Sequence, residues 1–143
     1  MGTAETFEVN YFQNYASQSP GSTFDPGLDR DFTLALQDLI LTQTSLDLVT
    51  SNGDLLYEGE IVEYRVSPMT ATAEQRAAQN RLTISVRVKY TNVVEPDLDF
   101  DQTFSRYEDY DASQNLTDVE NALIEVIVEN LVEDIFNRAF ISW

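Results

Sequence analysis

Arg81-Leu82-Thr83-Ile84-Ser85-Val86-Arg87-Val88-Lys89-Tyr90-Thr91 alternates between apolar and polar residues without a break. Successive strand residues face opposite sides of a sheet. Leu82, Ile84, Val86, Val88 and Tyr90 therefore share one face, and Arg81, Thr83, Ser85, Arg87, Lys89 and Thr91 share the other. The pattern predicts a strand with one dry face and one wet, cationic face. A Glu95-Pro96-Asp97 turn follows, and then a second alternating run from Leu98 to Tyr107. Keeping Tyr90 and Phe100 on the dry side leaves two registers for this hairpin. One sets Lys89 opposite Asp101 and the other sets Thr91 there; the opposite-charge pair favours the first. A sheet of this kind packs on its dry side and leaves the other side solvated.

Two amphipathic helices are available to cover the dry side. In the first, Leu28, Phe32, Ala35, Leu36 and Leu39 recur at helical spacing. Asp25 suits its N-cap and Pro26 its first turn, with Asp29 and Asp31 near the positive end of the helix. The helix should fade at Thr42–Thr44, where the hydroxyls compete for backbone bonds. The second helix opens on Thr117-Asp118-Val119-Glu120, which fits a capping box. Leu123, Ile124, Ile127, Val128, Leu131 and Ile135 form its apolar stripe, while Glu125, Glu129 and Glu133 recur every fourth residue on the opposite side. Like charges at that spacing repel. A solvated face explains the glutamates, and a partner surface carrying cations is the sharper alternative.

The remaining segments complete a small sheet. Phe7–Tyr11 reads as a first strand and Leu46–Val49 as a short extended piece. Ser51-Asn52-Gly53-Asp54 reads as a turn, because Asn-Gly tolerates positive φ. In the strand Leu55–Val66, Leu55, Tyr57 and Ile61 share one face, yet Val62, Tyr64 and Val66 share the other. That break in parity beside Gly59 predicts a β-bulge or sharp bend near residues 59–62. Ser67–Asn80 reads as a polar, mobile connection with one helical turn around Thr72–Ala78. The fold expected is therefore α+β. It is a two-layer sandwich with two helices packed on one face of a mixed, mainly antiparallel sheet of about four strands, in the order β-α-β-β-β-α. The 143 residues make a single domain, with residues 1–4 expression-derived or disordered.

Composition excludes several functions. Asp and Glu number 25 against 8 Lys and Arg, for a formal charge of −17. That field repels nucleic acid and anionic membrane surfaces. The chain has no Cys and no His. Thiol nucleophiles, histidine bases and thiolate or imidazole zinc sites are thereby excluded. No metal, cofactor or enzymatic activity is expected. Asp97, Asp99 and Asp101 superficially fit a calcium loop, but its turn glycine is missing and a strand would spread the carboxylates. Glu108, Asp109 and Asp111, placed in a loop after the last strand, lack the motif of a glycosidase pair. Met1-Gly2 formally fits a myristoylation pattern, and Asn115-Leu116-Thr117 a glycosylation sequon better explained by the helix cap. No run is long and apolar enough for a membrane span. Arg65, Arg87 and Lys89 are the residues expected to meet an anionic ligand from the open face, since guanidinium forks suit phosphates and carboxylates. Cross-strand pairing with Asp99 and Asp101 is the competing use of the same charges.

Several pieces, read in order, resemble the LptE-type lipopolysaccharide-assembly lipoproteins, specifically the Bacteroidetes-like branch. They include Val9-Asn10-Tyr11-Phe12-Gln13-Asn14, Gln43-Thr44-Ser45-Leu46-Asp47-Leu48-Val49, and Gly53-Asp54 followed by Glu58-Gly59-Glu60-Ile61. Tyr64-Arg65-Val66-Ser67-Pro68, Phe104-Ser105-Arg106-Tyr107, Val132-Glu133-Asp134-Ile135-Phe136-Asn137 and Trp143 continue the likeness over residues 5–143. The resemblance implies a lipid-anchored protein on the periplasmic side of the outer membrane, the anchor Cys and signal peptide lying upstream of this sequence. It also implies an LptD-type β-barrel as partner, whose lumen the domain plugs and whose assembly it aids, and contact with lipopolysaccharide. The other reading is a free-standing periplasmic or cell-surface domain that binds a small ligand or peptide on its open sheet face.

Overall fold

The computed structural model describes residues 4–10, 12–14, 28–69 and 79–140. Strands β1 (Thr6–Val9) and β2 (Gln13–Asn14) precede helix α1 (Leu28–Gln43). Then come β3 (Asp47–Leu48), β4 (Leu55–Met69), β5 (Gln79–Asn92), a 3-10 turn at Pro96–Leu98, β6 (Phe100–Asp111) and helix α2 (Leu116–Phe140). The sheet order is β3-β1-β4-β5-β6, with β2 pairing β4 beyond the end of β1. β1 runs parallel to β3 and β4, β2 runs parallel to β4, and the long β4, β5 and β6 are antiparallel. The α+β class and the two helices on one sheet face are as expected. The strand count is higher, because β2 and β3 are two-residue strands held by their neighbours rather than by any run of their own.

The dry face of β5 is buried as read: Leu82, Ile84, Val86, Val88 and Tyr90 pack under the helices, while Arg87 and Lys89 are exposed. Tyr90 lies opposite Phe100 and Lys89 opposite Asp101, which is the register that charge pairing favoured. The bulge in β4 also falls where parity breaks. Ile61 pairs Val86 and Glu63 pairs Ser85, so Val62 is the extra residue. The insertion lets Leu55, Tyr57 and Ile61 before it, and Tyr64 after it, all bury on the same side.

The helix faces are close to those read from spacing. α1 buries Leu28, Phe32, Thr33, Leu36 and Ile40, leaving Ala35 and Leu39 partly covered. It ends at Gln43, where the Thr44 amide and hydroxyl both donate to the Ile40 carbonyl. α2 buries Ile124, Ile127, Val128, Leu131, Val132, Ile135 and Ala139. It begins at Leu116, one residue ahead of the expected cap, and the Thr117 side chain lies outside the described residues. The capping box therefore lies outside the described side chains, and Glu120 has another role. Its carboxylate accepts the hydroxyl hydrogen of Tyr64, joining the start of α2 to β4 just past the bulge.

Other boundaries move. β4 runs on to Met69 and β5 starts at Gln79, so Ser67–Met69 and Gln79–Asn80 are strand rather than connection. The helical turn expected at Thr72–Ala78, the Asp25-Pro26 cap and Tyr11 lie outside the described residues. β6 continues through Glu108, Asp109 and Asp111, which sequence reading had placed in a loop. Asp97 sits in the 3-10 turn and the Asp99 carboxylate accepts the Asn92 amide hydrogen, so the calcium-like triplet never shares a strand face.

The turn before β4 ties the parallel edge in place. Asn52 takes φ 58°, while a Cβ on Gly53 would lie 2.8 Å from the Glu8 nitrogen. Asp54 accepts the amide hydrogens of Glu5 and Thr6, and its own amide donates to the Thr6 hydroxyl. Those amides, Glu5's foremost, hold the Asp54 carboxyl below its usual range.

Candidate interaction surface on the open sheet face

With both helices on one side, the sheet presents the odd-numbered residues of β5 and β6 to solvent as cross-strand rows. Lys89 stands between Glu58 and Asp101, Arg87 between Glu60 and Thr103, and Ser85 between Glu63 and Ser105. Thr83 stands between Arg65 and Tyr107, and Arg81 between Ser67 and Asp109. The three residues expected to meet an anion, Arg65, Arg87 and Lys89, are thus brought to one face by β4 and β5.

The sheet also hands most of these cations a carboxylate. Arg87 forks onto Asp101, with Nε to Oδ1 at 3.0 Å and Nη2 to Oδ2 at 2.8 Å. The contact is diagonal, since Lys89 is the residue directly opposite Asp101. Arg81 forks onto Asp109 at 2.8 and 3.2 Å, and its guanidinium lies 3.8 Å above the centre of the Tyr107 ring. Arg65 has a looser partner, 3.9 Å from Glu63. The Arg87 fork holds the Asp101 carboxyl below its usual range, with Lys89 adding a smaller pull. Between the rings of charge, the Ser85 hydroxyl donates to Glu63 at 3.0 Å and lies 2.8 Å from the Ser105 hydroxyl.

Sequence reading did not single out Arg81, Tyr107 or the Glu63–Ser85–Ser105 chain. Arg81 and Ser85 were already on the wet side of the alternation; their partners required the register of β4 and β6. A depression of about 240 Å³ is lined by Glu58, Gly59, Glu60, Arg87, Lys89 and Asp101. Its glycine is obligatory. A Cβ at Gly59 would lie 2.2 Å from the Arg87 carbonyl oxygen and 2.6 Å from Cε2 of Phe12, whose ring packs on Phe32 of α1.

A long antiparallel β4–β5–β6 ribbon with two helices behind it, fed by a parallel edge, is an arrangement with known relatives. The LptE family model, described as lipopolysaccharide-assembly, matches residues 4–139. The chain belongs to the LptE family. Solved structures of low sequence identity share the fold. A minor lipoprotein from Acinetobacter baumannii superposes with a TM-score of 0.56 at 13% identity, over 92% of this chain and 89% of that one. A hypothetical protein from Chlamydia trachomatis gives 0.59 at 8% identity, over 96% and 99%. An uncharacterized lipoprotein B from Nitrosomonas europaea gives 0.54 at 16% identity, over 97% and 85%. No protein with a curated description matches this LptE domain in sequence.

Proposed function

We propose that this LptE-family domain is a non-enzymatic subunit of the outer-membrane machinery that transports and inserts lipopolysaccharide. It plugs an LptD-type β-barrel, assists its assembly and touches lipopolysaccharide. Its place is the periplasmic side of the outer membrane, held by a lipid anchor attached upstream. The observation that carries this reading is the family match across residues 4–139.

The open sheet face supports it. A barrel lumen is polar, and a plug surface should be hydrophilic and hydrogen-bonded within itself. Arg87 with Asp101 and Arg81 with Asp109 meet that requirement, and Glu58 and Lys89 add to the polar surface. A free-standing domain for small ligands needs a deeper concavity, of roughly 300–1,000 Å³. The depression of about 240 Å³ on this face falls short of that.

For lipopolysaccharide contact we assign Arg65, Arg87 and Lys89, acting on phosphate or carboxylate groups of the glycolipid. Arg65 and Lys89 are the better placed, because Glu63 holds Arg65 only loosely at 3.9 Å and no described ion pair engages Lys89. Arg87 must exchange its fork with Asp101 for the ligand. Two measurements test the reading. A stoichiometric complex with a large outer-membrane barrel is expected on purification from native membranes; persistent isolation of the domain would refute the subunit role. Binding to purified lipopolysaccharide should weaken on changing Arg65, Arg87 and Lys89 together to Ala, and unchanged affinity in the folded variant removes the three contacts.

A further inference from the structure

The outer side of the helix layer carries a different kind of surface. Between α1 and α2 runs a groove of about 630 Å³. Ala35, Leu39 and Val128 are among the apolar residues that line it. Asp31, Asp38, Glu125 and Glu129 also line it, whereas no Lys or Arg does among the described residues. Arg30 reaches Asp31 at 3.5 Å, and no described ion pair engages Asp38, Glu125 or Glu129. Glu125, Glu129 and Glu133 stand one helical turn apart and repel. Leu34 and Leu41, 53% and 44% exposed, continue apolar surface along the outer side of α1.

We infer that this groove docks a basic amphipathic segment of a partner protein, with its apolar side on Ala35, Leu39 and Val128 and its cations on Asp38, Glu125 and Glu129. Charge decides the occupant. Anionic glycolipid, lipid headgroups and nucleic acid are repelled by the carboxylates, whereas a Lys- or Arg-bearing helix relieves the repulsion along α2 and covers the apolar strip. The inference deepens the subunit reading and rests on it for the partner, because it names the face through which the domain meets cations of its complex. On the open sheet face the carboxylates are interleaved with Arg65, Arg87 and Lys89, whereas no such cation lines the groove among the described residues.

The test uses the full chain and a fluorescein-labelled peptide of roughly 18 residues, about five helical turns, with Leu and Lys at amphipathic spacing. Fluorescence anisotropy should report binding that weakens with salt. The double variant Glu125→Lys/Glu129→Lys should lose about tenfold or more in affinity, whereas Glu58→Lys/Glu60→Lys, which changes net charge equally on the open sheet face, should lose less than about threefold. Ala35→Trp, which alters no charge, should lose about fivefold or more by filling the groove. Equal losses for the two charge reversals, or wild-type binding by Ala35→Trp, would overturn the inference. Co-purification separates this outcome from the fate of the subunit reading. If a barrel is recovered equally with wild type and with Glu125→Lys/Glu129→Lys, the groove assignment fails and the subunit reading stands. If no barrel is recovered with wild type while the peptide results hold, the subunit reading fails and the groove stands.

Discussion

The two faces of one sheet solve opposite problems with the same alternating strands. Beneath the helices, Tyr57, Tyr90 and Phe100 stack in sequence across β4, β5 and β6, with ring centres 5.0 and 5.1 Å apart. On the open side, the same three strands interleave Glu58, Lys89 and Asp101. The covered face is held by volume and exclusion of water, so each side chain there is constrained by its neighbours. The open face is held by charge pairing in water, where each pair is screened and replaceable. Stability therefore belongs to one side and adaptability to the other.

The largest effect should come from cutting volume on the covered side. Ile84→Ala removes a fully buried side chain from the central part of β5 and should cost about 2–5 kcal/mol in urea unfolding. Its neighbour Thr83→Ala, on the open face, should stay within about 0.5 kcal/mol. Similar losses at both positions would erase the distinction between the faces. Next comes Gly59→Ala, which drives a methyl into the Arg87 carbonyl and the Phe12 ring. We expect a loss of about 1–3 kcal/mol, only partly recovered by adding Phe12→Leu, since backbone remains in the way.

A third test uses a polar atom that the covered side leaves without a partner among the described residues. The Tyr57 hydroxyl is buried and unbonded among the described residues, so Tyr57→Phe should be neutral or stabilising. Burial pushes the Tyr57 phenol well above its usual value and pushes Tyr90 up to about 12. Raised folded-state values mean the folded protein holds these protons more tightly than the unfolded chain. Their contribution is therefore intact below pH about 10 and is lost as pH rises toward the folded values. The alkaline fall in unfolding free energy should be shallower in Tyr57→Phe, and an unchanged slope would show that this phenol does not contribute to it. The smallest effect is expected on the open side. Arg87→Ala, Asp101→Ala and the double variant should differ little from wild type by thermal melting, and any coupling should shrink in high salt.

How much of this was legible depended on whether the signal was local. The two-period alternation of β5, the parity break at Val62 and the 3.6-period stripe of α2 are each contained in one segment, and each appears where expected. β3 falls inside the extended piece read at Leu46–Val49, but β2 is two residues long and exists because β4 offers a parallel partner, which no local pattern encodes. The end of β6 was hidden for another reason. As an edge strand it carries charge on both faces, with Arg106 turned toward the helices, where it forks onto Asp134 at 2.7 Å. That fork depends on how α2 lies across the sheet. The open-face cations were readable as a set, but the diagonal choice of Asp101 by Arg87 was not.

The extra residue in β4 has a consequence for how this protein can change. Val62 works as a phase shifter: chain length at that point, rather than chemistry, decides which half of the strand looks inward. Removing Val62 would close the bulge and leave Ile61 opposite Val86 and Glu63 opposite Ser85, so Tyr64 would stay inside and Arg65 outside. Removing two residues there would instead turn Tyr64 out to water and Arg65 in toward the helices. Insertions and deletions in this part of the molecule are consequently filtered by whether they are odd or even, long before any side chain is weighed.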